Sequence, residues 1–93
     1  ETETVPNSFT LGQNYPNPFN PTTTIAYQLH EQAHVQLSIA NALGETLYEV
    51  VNEIKPAGTY EYTFDADNLP TGVYFYQLIA GESRAVRKMI LLR

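Results

Sequence analysis

Between Leu11 and Thr24 the chain reads LGQNYPNPFNPTTT, with three prolines, three asparagines and two aromatics. Proline has no N–H, fixes φ and pushes the residue before it toward extended geometry. Pro16, Pro18 and Pro21 therefore exclude both a helix and an inner strand here. Asn14–Pro21 is expected as an extended or turning segment at an edge, with Tyr15 and Phe19 folding back over one end of the core. The other unusual stretch is Lys88–Arg93, KMILLR, a basic and apolar run.

Between these two lie short segments of period 2. Thr23, Ile25, Tyr27 and Leu29 alternate with more polar neighbours over Thr22–Leu29, and Val35, Leu37 and Ile39 repeat the pattern. Asn41–Gly44 is a turn whose Asn and Gly accept positive φ. Thr46–Val51 is the return strand. A helix over Leu43–Ile54 is the alternative, disfavoured by its Val and Thr content. Pro56–Gly58 is the next turn, before alternating Tyr60, Tyr62 and Phe64. Asp65–Gly72 is rich in turn formers. Val73–Ala80 is strongly β, and Gly81–Ser83 closes a tight hairpin into Arg84–Leu92. With a weak first strand at Phe9–Leu11, the spacing predicts an all-β antiparallel sandwich of about seven strands. The remaining inward positions are Tyr74, Tyr76, Leu78, Met89 and Leu91. Gly72 is expected to need a backbone shape that a β-branched residue resists.

A chain of 93 residues fits one domain, and 43% hydrophobic residues suffice for a single core. No cysteine is present, which excludes disulfides and thiolate metal sites. No apolar run is long enough for a membrane-spanning helix. The start at Glu1, in place of a Met, reads as a piece of a longer precursor, with Glu1–Ser8 a linker remnant. A net charge of −5 argues against nucleic acid. All ten acids precede Arg84, whereas Arg84, Arg87, Lys88 and Arg93 form an acid-free ending. Such a segment either pairs with its own acidic body or presents positive charge to a partner.

Little here suggests catalysis. His30, Glu31 and His34 match HExxH letter for letter, but that motif binds zinc only on a helix, where both rings share a face. Strands flank this one, so both histidines are expected on a hairpin turn. Asp65, Asp67 and Asn68 have the composition of a calcium loop without its Gly and closing Glu, and read as turn formers. Tyr60, Tyr62, Tyr74 and Tyr76 suit either a sugar-stacking platform or the core and rim of a sandwich. Neither a metal nor another cofactor is expected.

LGQNYPNPFNPTTTIAYQL, VQLSIANALGETLYEVV, AGTYEYTFDADNLPTGVYFYQL and KMILLR, in that order, closely resemble the type A carboxyl-terminal sorting domain of type IX secretion, the Por secretion system family. The likeness is collinear from Phe9 to Arg93 and implies a non-catalytic immunoglobulin-like domain over 9–93, last in a larger exported protein. It implies as partners the outer-membrane translocon, a sortase-type peptidase that cleaves ahead of the domain, and an upstream cargo in cis. It also implies periplasmic transit, then the cell surface or secretion. Pro70, Gly72 and Tyr74 match the family's PxGxY element, Gly58 and Tyr60 an earlier AGxY turn. Lys88, Met89, Ile90, Leu91 and Leu92 match its terminal strand. The sequence departs at Ala40, where relatives usually carry Tyr. If Met89 and Leu91 face inward, Ile90 and Leu92 point outward and form a docking stripe flanked by cations. A structural spacer of fibronectin type and a carbohydrate-binding module are the competing readings.

Overall fold

The alternation becomes seven strands in the computed structural model, which describes residues 9–93. They are β1 (Phe9–Leu11), β2 (Thr22–Leu29), β3 (Ala33–Asn41), β4 (Thr46–Lys55), β5 (Gly58–Asp65), β6 (Gly72–Ala80) and β7 (Ser83–Leu91). The expected linker Glu1–Ser8 and any cleavage point within it lie outside the described residues.

One sheet has the order β1-β2-β5 and the other β4-β3-β6-β7, antiparallel throughout. The fourth strand pairs with the third, in the four-stranded sheet, where a constant-type immunoglobulin domain would place it in the opposite sheet. The core lies between the sheets. Ile25, Tyr27 and Leu29 of β2 bury against Val35, Leu37 and Ile39 of β3 and Tyr76 and Leu78 of β6. Period-2 alternation is enough to explain this, because each of these strands has one covered face.

β4 is a strand over the whole of Thr46–Lys55, not a helix. Its pairing with β3 slips twice, leaving Val50 and Leu47 as extra residues. Such bulges on an outer strand add twist and interrupt the free edge. Two tyrosines placed inward by the alternation are only half-buried, Tyr60 and Tyr62. β5 is the edge of the smaller sheet, so its side chains are covered from one side only. Tyr60 stacks on Tyr27 with centroids 5.4 Å apart, and the Lys55 ammonium sits 4.7 Å from its ring centre.

Two further expectations need correction. The HEQAH segment does not close a hairpin, because β2 and β3 belong to different sheets. His30 begins the crossing just after β2, and His34 lies within β3. Gly72 has no positive φ, and a Cβ there would meet Tyr74 Cε2 at 3.9 Å and the Pro70 carbonyl at 4.0 Å, ordinary contacts. Left-handed backbone occurs instead at Gly44, with φ of +86° in the turn before β4, and at Gly81, with φ of +61° in the two-residue loop between paired Ala80 and Ser83. Glu82 beside it has no positive φ, which is the type II′ hairpin with Gly at its first central place.

Candidate functional site: the terminal strand and its strap

The PTGVY and KMILL segments become cross-strand neighbours. Gly72 pairs with Leu91, Val73 with Ile90, Tyr74 with Met89 and Phe75 with Lys88. The start of β6 is fixed by a tyrosine corner: the Tyr74 hydroxyl donates to the Pro70 carbonyl at 2.6 Å. Tyr60 does the same to Pro56, also at 2.6 Å. Pro56–Tyr60 and Pro70–Tyr74 are thus one PxGxY device used twice, each time where the chain crosses between sheets. The earlier copy is visible in the sequence once Pro56 is counted with Gly58 and Tyr60.

The faces of β7 separate cleanly. Met89 and Leu91 are 0% exposed, and their side chains belong to the core. Lys88 is exposed, Ile90 half-buried and Leu92, just past the strand, 53% exposed. Opposite these on β6 lie Val73 and Phe75. Pro70 is exposed in its turn and Tyr74 is buried, so of the residues matched to the family motifs, those with outward side chains are Pro70, Lys88, Ile90 and Leu92.

The sequence did not show that the proline-rich segment lies along the free edge of β7. Gln13 Nε2 donates to the Lys88 carbonyl at 2.8 Å, and the Ile90 N–H donates to Asn17 Oδ1 at 2.9 Å. The Phe19 N–H donates to the Ile90 carbonyl and the Leu92 N–H to the Phe19 carbonyl, both at 2.9 Å. Proline explains the choice of side-chain partners: a strap with Pro16 and Pro18 cannot form a full ladder, so Gln13 and Asn17 supply polar atoms in its place. Phe19 is buried as expected. Tyr15 is not: it is 80% exposed, because its backbone pairs with Thr24 and turns the ring outward.

Polar groups under the strap are satisfied. The Tyr76 hydroxyl donates to the Gly12 carbonyl at 2.6 Å and accepts the Asn14 N–H at 2.8 Å. Buried Asn14 gives its Nδ2 to Thr23 Oγ1 and the Pro16 carbonyl. Burial raises the Tyr76 pKa above its ordinary value, against smaller lowering influences from the Asn14 hydrogen bond and Arg87. Arg93 ties the strand's end to the loop before β6. Its N–H donates to Thr71 Oγ1, and Nη1 donates to the Ala66 and Leu69 carbonyls.

The basic ending does not pair broadly with the acidic body. Arg93 approaches Asp67 at 3.8 Å. Among the described residues, the other ion pair is Lys55 with Glu53, leaving Arg84, Arg87 and Lys88 without a carboxylate partner. The histidines are engaged separately: the His30 ring bonds Thr10 Oγ1 and the His34 ring bonds Asn52 Oδ1. No group of three His, Asp or Glu side chains that could hold a metal occurs among the described residues. Asp65 acts as a turn former, its Oδ1 accepting the Asp67 N–H.

The two sheets, clasped by the strap, and a β7 whose outer face is exposed and partly apolar make an immunoglobulin-like sandwich. The family model for the secretion system C-terminal sorting domain matches residues 13–92, and the chain belongs to that family. It is a type IX secretion sorting-signal domain, of a family that is in general non-catalytic and whose members are parts of exported proteins. No curated protein and no solved structure matches the chain significantly.

Proposed function

We propose that residues 9–93 form the module that carries an upstream cargo through the type IX outer-membrane translocon, and that the machinery reads the outer face of β7. Lys88, Ile90 and Leu92 supply the contacts, and Met89 and Leu91 fix the strand beneath them. Pro70, Gly72 and Tyr74 hold the start of β6 so that Val73 and Phe75 complete the patch. A sortase-type peptidase then cleaves ahead of the domain, after periplasmic transit, and the cargo reaches the cell surface or the medium. The module itself performs no catalysis and needs no cofactor.

The observation that carries this reading is Lys88, without a carboxylate partner among the described residues, beside half-buried Ile90 on a strand whose register is locked by Gln13, Asn17 and Phe19. A cation and an apolar side chain carried on a fixed backbone suit a docking patch, with little backbone ordering left for the encounter.

The test fuses the 93-residue chain behind a periplasm-directed reporter in a host with the type IX machine. The wild-type fusion is expected outside the cell. The double variant Lys88→Ala with Ile90→Ser changes outward side chains only, so it should fold and hold the reporter in the periplasm. Normal export by a double variant with an unchanged melting temperature would overturn the assignment of this face.

A further inference from the structure

We infer that the first half of β7, Arg84–Lys88, is a strand-addition site for an extended acidic peptide segment of a partner. This edge adjoins the outer face proposed above and shares Lys88 with it, but the inference stands on its own geometry. In an antiparallel ladder, residues alternate between pointing their N–H and C=O at the neighbour and pointing them away. Ser83, paired with Ala80 across a two-residue loop, points at β6. Ile90 points away, since both its groups meet the strap. Both ends set the same parity, so Arg84, Val86 and Lys88 also point away from β6.

The strap takes only the Lys88 carbonyl from these three. Among the described residues, nothing bonds the N–H and C=O of Arg84 and Val86 or the Lys88 N–H, which leaves an open edge. Beside it the sandwich gapes: a cleft of about 730 Å³ lies between β1 and β7, with Phe9 and Leu11 in its lining and Glu82 at the hairpin tip. Arg87 crosses the cleft to the Leu11 carbonyl at 2.8 Å.

Charge selects the occupant. Arg84 and Lys88 flank exposed Val86 on one face and have no carboxylate partner among the described residues. Cations on an edge repel the same edge of a second copy and favour an anionic strand. An antiparallel partner strand with Glu, an apolar residue and Glu at alternate positions places each carboxylate opposite a cation and the apolar residue opposite Val86. The opposite edge of the same sheet, β4, is bulged at Leu47 and Val50 and carries Glu49 and Glu53, so it offers no equivalent site.

The probe is the blocked heptapeptide Thr-Glu-Thr-Val-Thr-Glu-Thr, titrated into the whole chain with backbone amide shifts as the readout. Its Kd is expected at roughly 0.1–1 mM, with the largest shifts at Arg84, Val86 and Lys88. Replacing both Glu by Lys, or the pair Arg84→Glu with Lys88→Glu, should weaken it at least about tenfold. Val86→Pro removes an outward N–H without touching the ladder and should abolish binding, as proline is tolerated on such an edge. N-methylating the central Val of the peptide gives the same loss without altering the protein. No detectable binding, equal binding of the Lys peptide, or full affinity of the N-methylated peptide would each overturn the inference.

Discussion

Phe19 lies parallel to Leu91, giving its N–H to the Ile90 carbonyl and accepting the Leu92 N–H, each at 2.9 Å. Its ring meets Phe64 of β5 edge-on, with centroids 6.4 Å apart. One residue of the proline-rich strap therefore joins the last strand of one sheet to the outer strand of the other. The two most distinctive parts of the sequence are a single structural unit.

Phe19→Ala should cost about 3–5 kcal/mol, since a fully buried aromatic leaves a cavity that backbone bonds to Ile90 and Leu92 hold open. Tyr15→Ala, four residues earlier with its ring in solvent, should change stability by no more than about 0.5 kcal/mol. Thermal melts of the two variants check this. Equal losses would mean that the strap is not anchored through Phe19.

Gly81 and Gly72 should respond oppositely to the same change. Gly81→Ala forces a Cβ into left-handed backbone and should lose about 1–2 kcal/mol. Gly72→Ala meets only ordinary contacts and should be neutral, or stabilise by up to about 1 kcal/mol through a less flexible unfolded chain. Urea denaturation midpoints decide the matter, and a larger loss at Gly72 would restore the requirement read there from sequence.

Alkaline pH should expose the role of Tyr76. Its pKa in the folded protein is raised, chiefly by burial, and Tyr27 is raised for the same leading reason. Unfolded tyrosines ionise near pH 10. Above that pH the unfolded chain binds fewer protons than the folded one, so stability is intact below about pH 10 and falls as pH rises through the folded values. Tyr76→Phe should flatten part of that decline. It should also cost about 1–3 kcal/mol at neutral pH, because the Asn14 N–H and Gly12 carbonyl lose their partner. Denaturation midpoints measured from pH 7 to 11 report both effects, and an unchanged alkaline slope would assign the decline to other groups.

Strand content, the turn at Gly81 and the burial of Ile25, Leu37, Met89 and Leu91 were legible in the residues alone. Each follows from local rules: alternation selects one face, and a two-residue loop with Gly selects one hairpin. The family motifs were legible too, because they are strings of neighbours. Less visible were the faces of residues next to a sheet edge. Tyr60 and Tyr62 keep the correct parity yet stay half-exposed, since parity says which side a residue faces and not whether another layer covers it.

By itself the sequence determined that this chain is an all-β sandwich, where its turns fall, and which residues of Lys88–Leu92 point inward. Only the tertiary structure decided which strands share a sheet, that β2 and β3 part company across His30–His34, and that Gln13, Asn17 and Phe19 lie along Lys88–Leu92. These contacts join residues more than seventy positions apart. No local propensity encodes them. They arise because Pro16 and Pro18 bar the strap from a regular ladder, while Gln13, Asn17 and Phe19 still reach the outward N–H and C=O groups of Lys88–Leu92. The stretch at Arg84–Val86, open among the described residues, has the same origin, since the strap reaches no further along the strand than Lys88.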